Sequence, residues 1–345
     1  MQITSDQREL RDLVRRFLAD SVSSEYLRKR ITSGLRRDDA LLESAKQLGL
    51  EEGFSAQGEM FTFAELGVVA EEVGRALFPE ALTERIFADC VVPGFLDPDT
   101  RAAYQALGSH TAIAPESCCT LASRKSKKVS GEISWAWGVE GASRLIGVMK
   151  MTGGNRAFAC SLSTPSVTLT PTSSLDLTTA LASLSLTDVP VVVFSEDASS
   201  KVLDAFSILK ACEVYGMTAR VIEMSAEYLK TREQFGVPVG AFQAVQQRIA
   251  DAYASSEALG ALCRFAAWSV TSSPEQRSLT ARAVIAHAAE VGPSVCEAAI
   301  QVHGGIGFTW EYDLHLLLRR AKATAVAFPQ GVEGVEDLLT FARRL

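Results

Sequence analysis

The sequence predicts an α+β protein in three parts: a helical N-terminal domain over 1–108, a middle β domain over 109–197 and a C-terminal helical bundle over 198–345. Three observations predict it. Val214, Met217, Val221, Met224 and Tyr228 recur at alternating three- and four-residue steps, the stripe of a helix with one buried face. Between His110 and Phe194 Ser, Thr and Val become dense, and short apolar runs are separated by Gly, Pro, Asn and Asp. Before that region, segments rich in Ala, Leu and Glu carry helical spacing.

In the first part, Thr4 or Ser5 can cap a helix that places Leu10, Val14 and Phe17 on one face, with Asp6 and Glu9 in its first turns. Further helices are predicted over 38–48, 62–77 and 80–91. In the middle part, strands are predicted over 144–150, 157–162, 167–170 and 189–194, and the polar stretch Ser195 to Ser200 reads as a linker. In the last part, helices are predicted near 201–232, 241–271, 275–303, 311–327 and 333–344, the long ones antiparallel with short connections. The second of them carries a stripe of Phe242, Val245, Ile249, Ala252 and Tyr253.

Composition narrows the function. At 345 residues, with 47% hydrophobic and 22% charged residues, the chain is long enough for more than one core. A net charge of −7 leaves no surplus of cations to neutralise nucleic-acid phosphates, and the basic run Arg124 to Lys128 reads as a solvated loop. Seven cysteines, of which Cys118 and Cys119 are adjacent, show no disulfide framework, and four histidines form no ligand cluster, so reduced thiols in a cytoplasmic protein are expected. The opening residues lack the apolar core of a signal peptide and no uninterrupted 18-residue apolar run follows, so no membrane contact is expected.

The most informative stretch joins two predicted helices. Gly236 and Pro238 stop the first and set the entry to the second, which leaves Arg232 and Gln234 at a helix end beside a tight turn. A guanidinium there offers a fork of donors suited to phosphate, although an exposed Arg and Gln at a helical hairpin is the plainer reading of the residues alone. A Gly cluster such as Gly304, Gly305 and Gly307 after a helix is by itself a cap and loop. By the same standard, His303 reads as a packed or capping histidine.

Two motifs change the balance. The run from Tyr228 to Gln247 (YLKTREQFGVPVGAFQAVQQ) resembles the signature of the acyl-CoA dehydrogenase family, and Gln301 to Thr309 (QVHGGIGFT) resembles its second signature, in the same order. Val129 to Ser143 and Leu175 to Ala182 look like segments of the family's shorter members. The resemblance implies that family's architecture: N-terminal helices, a middle β-barrel domain and a C-terminal four-helix bundle. It implies FAD as cofactor, an acyl-CoA as substrate and a flavoprotein as electron acceptor. Residue by residue, it implies that Arg232 meets the pyrophosphate of an FAD seated in a neighbouring subunit, that Gln234, Phe235 and Gln243 lie along its adenosine half, and that Gln301, Gly304 and Gly305 approach the same cofactor.

The sequence also departs from the family. Catalysis there uses a Glu to abstract the α-proton of the thioester, and the two locations known for it fall at Phe206 and Phe328. Glu213 lies two turns beyond Phe206, a displacement of ~10 Å at the helical rise, and Glu333 and Glu336 follow Phe328. The family's Thr-Glu-Pro segment becomes Ala114 to Thr120, and its Trp-Ile-Thr becomes Trp135 to Gly138. The part that reaches into a neighbour's flavin is intact while the chain's own flavin seat is eroded. That pattern resembles the smaller, non-catalytic subunits of heteromeric α2β2 acyl-CoA dehydrogenases, which pair with a catalytic family member and often act on bulky thioesters such as steroid side chains. The alternatives are a self-sufficient homomeric enzyme with Glu213 as a displaced base, and an assembly scaffold with no catalytic role.

Overall fold

Capping decides where the N-terminal helices begin. The computed structural model describes residues 3–54, 61–115, 119–122, 127–151 and 154–328. Thr4 opens α1 (Ser5–Ser21) with a capping box in which its hydroxyl accepts from the Gln7 N–H and the Gln7 side chain takes the Thr4 N–H. Leu10, Val14 and Leu18 form its buried face, and Phe17 is half-buried beside them. Then come α2 (Ser24–Ser33), α3 (Asp39–Lys46), α4 (Leu50–Phe54) and α5 (Phe63–Arg75), the last opened by a second capping box between Thr62 and Glu65. The predicted helix over 80–91 begins at Leu82 as α6 (Leu82–Ile86) and passes through a π-helical turn, Phe87–Val91, into α7 (Val92–Phe95); α8 (Pro98–Gln105) follows.

The middle of the chain is one mixed sheet. Its strands are β1 (Thr111–Ile113), β2 (Cys119–Ala122), β3 (Lys128–Trp137), β4 (Arg144–Met151), β5 (Gly154–Ser161), β6 (Val167–Thr172), β7 (Leu181–Pro190) and β8 (Val192–Val193). The ladder runs β6-β7-β3-β1-β4-β5-β8. β1 and β2 both lie between β3 and β4, antiparallel to the first and parallel to the second. Ile133, Leu145, Phe158, Leu184 and Val189 form a core of the sheet's own.

Ser195 corrects the expected linker. Its side chain caps α9 (Glu196–Thr231), so Ser195 to Ser200 is a helix start, with Glu196 and Asp197 favourably placed in the first turn. A hairpin of β9 (Glu233–Gln234) and β10 (Val237–Pro238) leads to α10 (Gln243–Ser272), α11 (Arg277–His303) and α12 (Leu314–Ala327). The helix predicted over 333–344 lies outside the described residues. α11 packs against α9, α10 and α12, which is why it is apolar enough over 274–308 to pass for a membrane span by length and composition.

α5 and α9 cross with their backbones in direct contact. Gly74 of α5 lies on the Glu213 carbonyl and Gly216 of α9 lies on the Glu71 carbonyl; a Cβ at either position would fall inside van der Waals distance of that oxygen. This crossing carries the middle of α9 up against α6. A second correction concerns α10: of its predicted stripe only Ala252 is buried, Val245 and Ile249 are half-buried, and Phe242 and Tyr253 are 37% and 54% exposed. The apolar face of α10 is therefore left largely uncovered within the chain.

Candidate functional site

The two sequence motifs meet at one end of the bundle. Tyr228, one turn before Arg232, stacks on His303, two residues past Gln301, with ring centroids 4.3 Å apart and an interplanar angle of 22°. The Tyr228 hydroxyl also donates to the His303 carbonyl at 3.3 Å. His303 Nδ1 lies 2.7 Å from the Ala299 carbonyl, and burial pulls its pKa below the ordinary value, so the ring is neutral at pH 7. The packed histidine expected from the sequence is what the structure holds.

Backbone geometry presents the rest of the motif outward. Phe235 and Gly236 have φ of 55° and 81°, the left-handed pair that a two-residue hairpin of this twist requires. The glycine takes that conformation without steric cost. The phenylalanine does not, and its side chain is 93% exposed, touching only Phe242 edge-on at 6.2 Å. Gly304 has φ 64° and ψ −143°, a region essentially reserved for glycine, and an added Cβ at Gly304 or Gly305 would meet nothing. Arg232, Gln234, Phe235, Gln243, Gln301, Gly304 and Gly305 are all exposed. The side chains of Arg232, Gln243 and Gln301 make no hydrogen bond or ion pair among the described residues, while Gln234 reaches only the Glu233 carbonyl. Val237, Ile306, Phe308 and Trp310 add apolar exposure around them.

An aromatic group fills the junction of sheet and bundle. Phe206 lies 6.1 Å from Phe328, 5.7 Å from Trp137 and 5.9 Å from Phe87, and Trp137 stacks on Phe328 at 6.4 Å. Two cavities flank it. One, of about 230 Å³, borders Phe206 and Phe328 and reaches Ala114, Ile146 and Val148. The other, of about 210 Å³, borders Trp135 and Trp137 and runs between α5, the β6–β7 connection, α9 and α12.

The second cavity has buried ion pairs in its wall. Lys210 Nζ donates to Glu213 at 2.5 Å and to Glu84 at 3.0 Å, and sits 4.8 Å over the Trp137 ring. The Thr83 hydroxyl lies 2.7 Å from Glu213 and 3.2 Å from Glu84, closing a four-membered ring of side chains. Burial pushes the Glu213 pKa up, against the pull of Lys210. Burial is the largest influence on Glu84 too, but there the Lys210 charge and the hydrogen bonds from Lys210 and Thr83 together outweigh it, and the pKa falls below the ordinary value. Thr83 donates to Glu213 and Lys210 donates to both carboxyls, so the two acids share one cation and one hydroxyl. On the opposite wall Arg320 donates to Asp176, Thr178, Thr179 and the Phe78 carbonyl.

Sequence reasoning missed this wall. The signal available was Lys210, a cation inside the otherwise apolar run Ile208, Leu209, Ala211, Cys212 of a predicted helix. The sequence singles out Glu213, whereas Thr83, 130 residues from Glu213, and Glu84, 126 residues from Lys210, come from a distant segment. Glu333 and Glu336 lie outside the described residues.

A family model described as "Acyl-CoA dehydrogenase, C-terminal domain" matches residues 198–344, which take in α9 to α12 and both motifs. The chain belongs to the acyl-CoA dehydrogenase family. Acyl-CoA dehydrogenase IpdE2 of Mycobacterium tuberculosis is 28% identical over 327 residues, covering 93% of this chain and 92% of that one. Among solved structures, the Tcur3481-Tcur3483 steroid ACAD variant superposes with a TM-score of 0.86 at 22% identity, and the ChsE4-ChsE5 complex from Mycobacterium tuberculosis with a TM-score of 0.85 at 21% identity. Each pair is covered over 100% of both chains. The acyl-CoA dehydrogenase fold thus extends over the whole chain, including the N-terminal helices that lie outside the family model.

Proposed function

We propose that this chain is the non-catalytic subunit of a heteromeric, FAD-dependent acyl-CoA dehydrogenase of the cytoplasm. It lends Arg232, Gln234, Phe235, Gln243, Gln301, Gly304 and Gly305 to the flavin nucleotide of a second, catalytic subunit of the same family. The observation that carries this reading is the contact between Phe206 and Phe328: both positions where the family places its catalytic carboxylate hold phenylalanine, and the two rings pack on each other.

The residues fit the cofactor at one place and not at the other. At the exposed end of the bundle, the uncommitted Arg232 guanidinium and Gln301 amide supply donors for a diphosphate, and Gly304 and Gly305 let backbone come within hydrogen-bond distance. In the chain's own seat, Ala114 brings no hydroxyl and its N–H is taken by the Ile146 carbonyl, Pro115 has neither a hydroxyl nor an N–H, and the Asp204 carboxylate there already accepts from Arg277 and Ser278. That cavity offers an isoalloxazine ring mainly apolar contact, and the Ser200, Ser207 and Arg282 side chains in its lining donate to Asp204 and to the Leu203 and Ser278 carbonyls. When bound, FAD supplies hydride acceptance from the thioester. This chain's part is to hold the nucleotide's phosphates and, with Phe235, Phe242, Tyr253 and Phe308, to cover it from water against the partner.

The printed names of the structural neighbours, a steroid ACAD and a two-component complex, support extending the reading to a bulky acyl-CoA such as a steroid side chain, with electrons passed to an acceptor flavoprotein. The chain purified alone is expected to be colourless. Co-expressed with a longer family member that carries the flavin motif and a Glu, it is expected to give a yellow complex that oxidises acyl-CoA. A lone chain that is yellow and active overturns the proposal.

A homomeric enzyme with Glu213 as base is the second reading, favoured by the raised pKa of that carboxyl. Its engagement with Lys210 and Thr83 speaks against it, and unchanged turnover in Glu213→Gln would remove it.

A further inference from the structure

The cavity beside Trp135 and Trp137 has the size, the walls and one free polar group of a ligand site. Its volume is about 210 Å³. An apolar protein cavity of about 150 Å³ takes up benzene, so this one suits a body of one to two rings. Trp135, Leu175, Leu181 and Phe78 supply the apolar wall.

The polar lining selects against charge. Lys210 is committed to Glu84 and Glu213, Arg320 to Asp176, and Glu80 to Arg30, so a charged ligand would find no free counter-charge and would lose its hydration. Thr324 is different. It is 5% exposed, lines the cavity, and its hydroxyl makes no hydrogen bond among the described residues. Ser174 stands nearby in the lining; its oxygen accepts from the Asp176 N–H and keeps its own hydrogen to donate. With no protein partner among the described residues, the Thr324 hydroxyl is free to donate to a ligand oxygen inside the cavity.

We propose that this cavity is a ligand site of the chain itself, for a neutral one- to two-ring body whose hydroxyl or ketone oxygen is engaged by Thr324. The site lies apart from the exposed nucleotide-contacting end of the bundle. That the ring is the acyl part of a thioester rests on the proposed function; the binding does not.

Calorimetric titration of the full chain with 2-tetralol and with tetralin tests it. The alcohol is expected to bind and the hydrocarbon to bind roughly 3- to 10-fold more weakly, the worth of one hydrogen bond. Thr324→Val should erase that preference, Thr324→Ser should keep it, and Ala323→Phe, which fills the cavity, should abolish both heats. Urea titration establishes that each variant is folded. No heat with either compound on the unaltered chain, equal affinity for the two, or a preference that survives Thr324→Val overturns the site. Should Thr324→Val fail to fold, the ratio on the unaltered chain and on Thr324→Ser decides. Flavin content of the two-subunit complex is a separate readout, so failure of the heteromer reading and failure of this site are told apart.

Discussion

Phe206 and Phe328 come from opposite ends of the bundle's sequence and meet with ring centroids 6.1 Å apart, both against Trp137. Three large rings hold α9, the end of α12 and strand β3 together where the fold would otherwise have a gap. Phe206→Ala is expected to destabilise the chain by about 3–5 kcal/mol, the usual cost of a buried aromatic plus its cavity, measured by urea unfolding. Because Phe206 is far from the exposed motifs, flavin content of the complex should be unchanged in the folded fraction.

The glycine crossing of α5 and α9 makes a second prediction. Gly216→Ala places a methyl against the Glu71 carbonyl, which as backbone cannot swing away. The helices must separate, at a cost of about 3 kcal/mol or more. A thermal melt within a degree of the unaltered chain would contradict the crossing.

Lys210 is the cation shared by two buried carboxyls. Lys210→Met leaves Glu84 and Glu213 buried without a cation, for an expected loss of about 3–5 kcal/mol at neutral pH. The double variant with Glu84→Gln should recover much of it, and a simple sum of the two single losses in a double-mutant cycle would show that the groups are not coupled.

Glu71 sets a pH dependence. It is buried at the α5–α9 crossing and burial pushes its pKa up to about 8, with Arg264, Arg11 and Arg15 opposing and Glu72 adding. The folded chain thus holds this proton more tightly than the unfolded chain. Its contribution is full below the unfolded value near 4.5 and is lost as pH rises through about 8. Unfolding free energy should fall between pH 5 and 8 by on the order of 3 kcal/mol through this group, and Glu71→Gln should flatten that slope.

The Tyr228–His303 stack registers the two motifs. Tyr228→Leu is expected to lower the flavin retained by the co-expressed complex several-fold while leaving the far-UV spectrum of the chain unchanged. Tyr228→Phe keeps the stack and loses only the bond to the His303 carbonyl, and should retain flavin close to the unaltered level.

What could be read in advance followed from local rules. Thr4 and Thr62 begin helices because a capping box is a matter of four consecutive residues, and the α9 stripe is a matter of period. Ser195 to Ser200 was misread because a polar run is equally a linker or an acidic, capped helix start, and only the packing of Ala198 and Ser199 under the sheet separates the two. The α10 stripe has the right period, but this chain covers only Ala252 fully and leaves Phe242 and Tyr253 exposed. Arg232 and Gln301 were legible through their motifs. The Lys210 ring was not, since Thr83, Glu84 and Glu213 are brought together by a helix crossing that depends on two glycines with no motif of their own.

The left-handed Phe235 at the tip of its hairpin has a bearing on how the protein is made. With Phe242, Phe308 and Trp310 it offers water an apolar rim, so solitary copies are expected to self-associate as their concentration rises. On the proposed two-subunit reading, balanced synthesis with the partner that shields that rim would keep the protein in solution, and an excess of this polypeptide would be the form open to proteolysis.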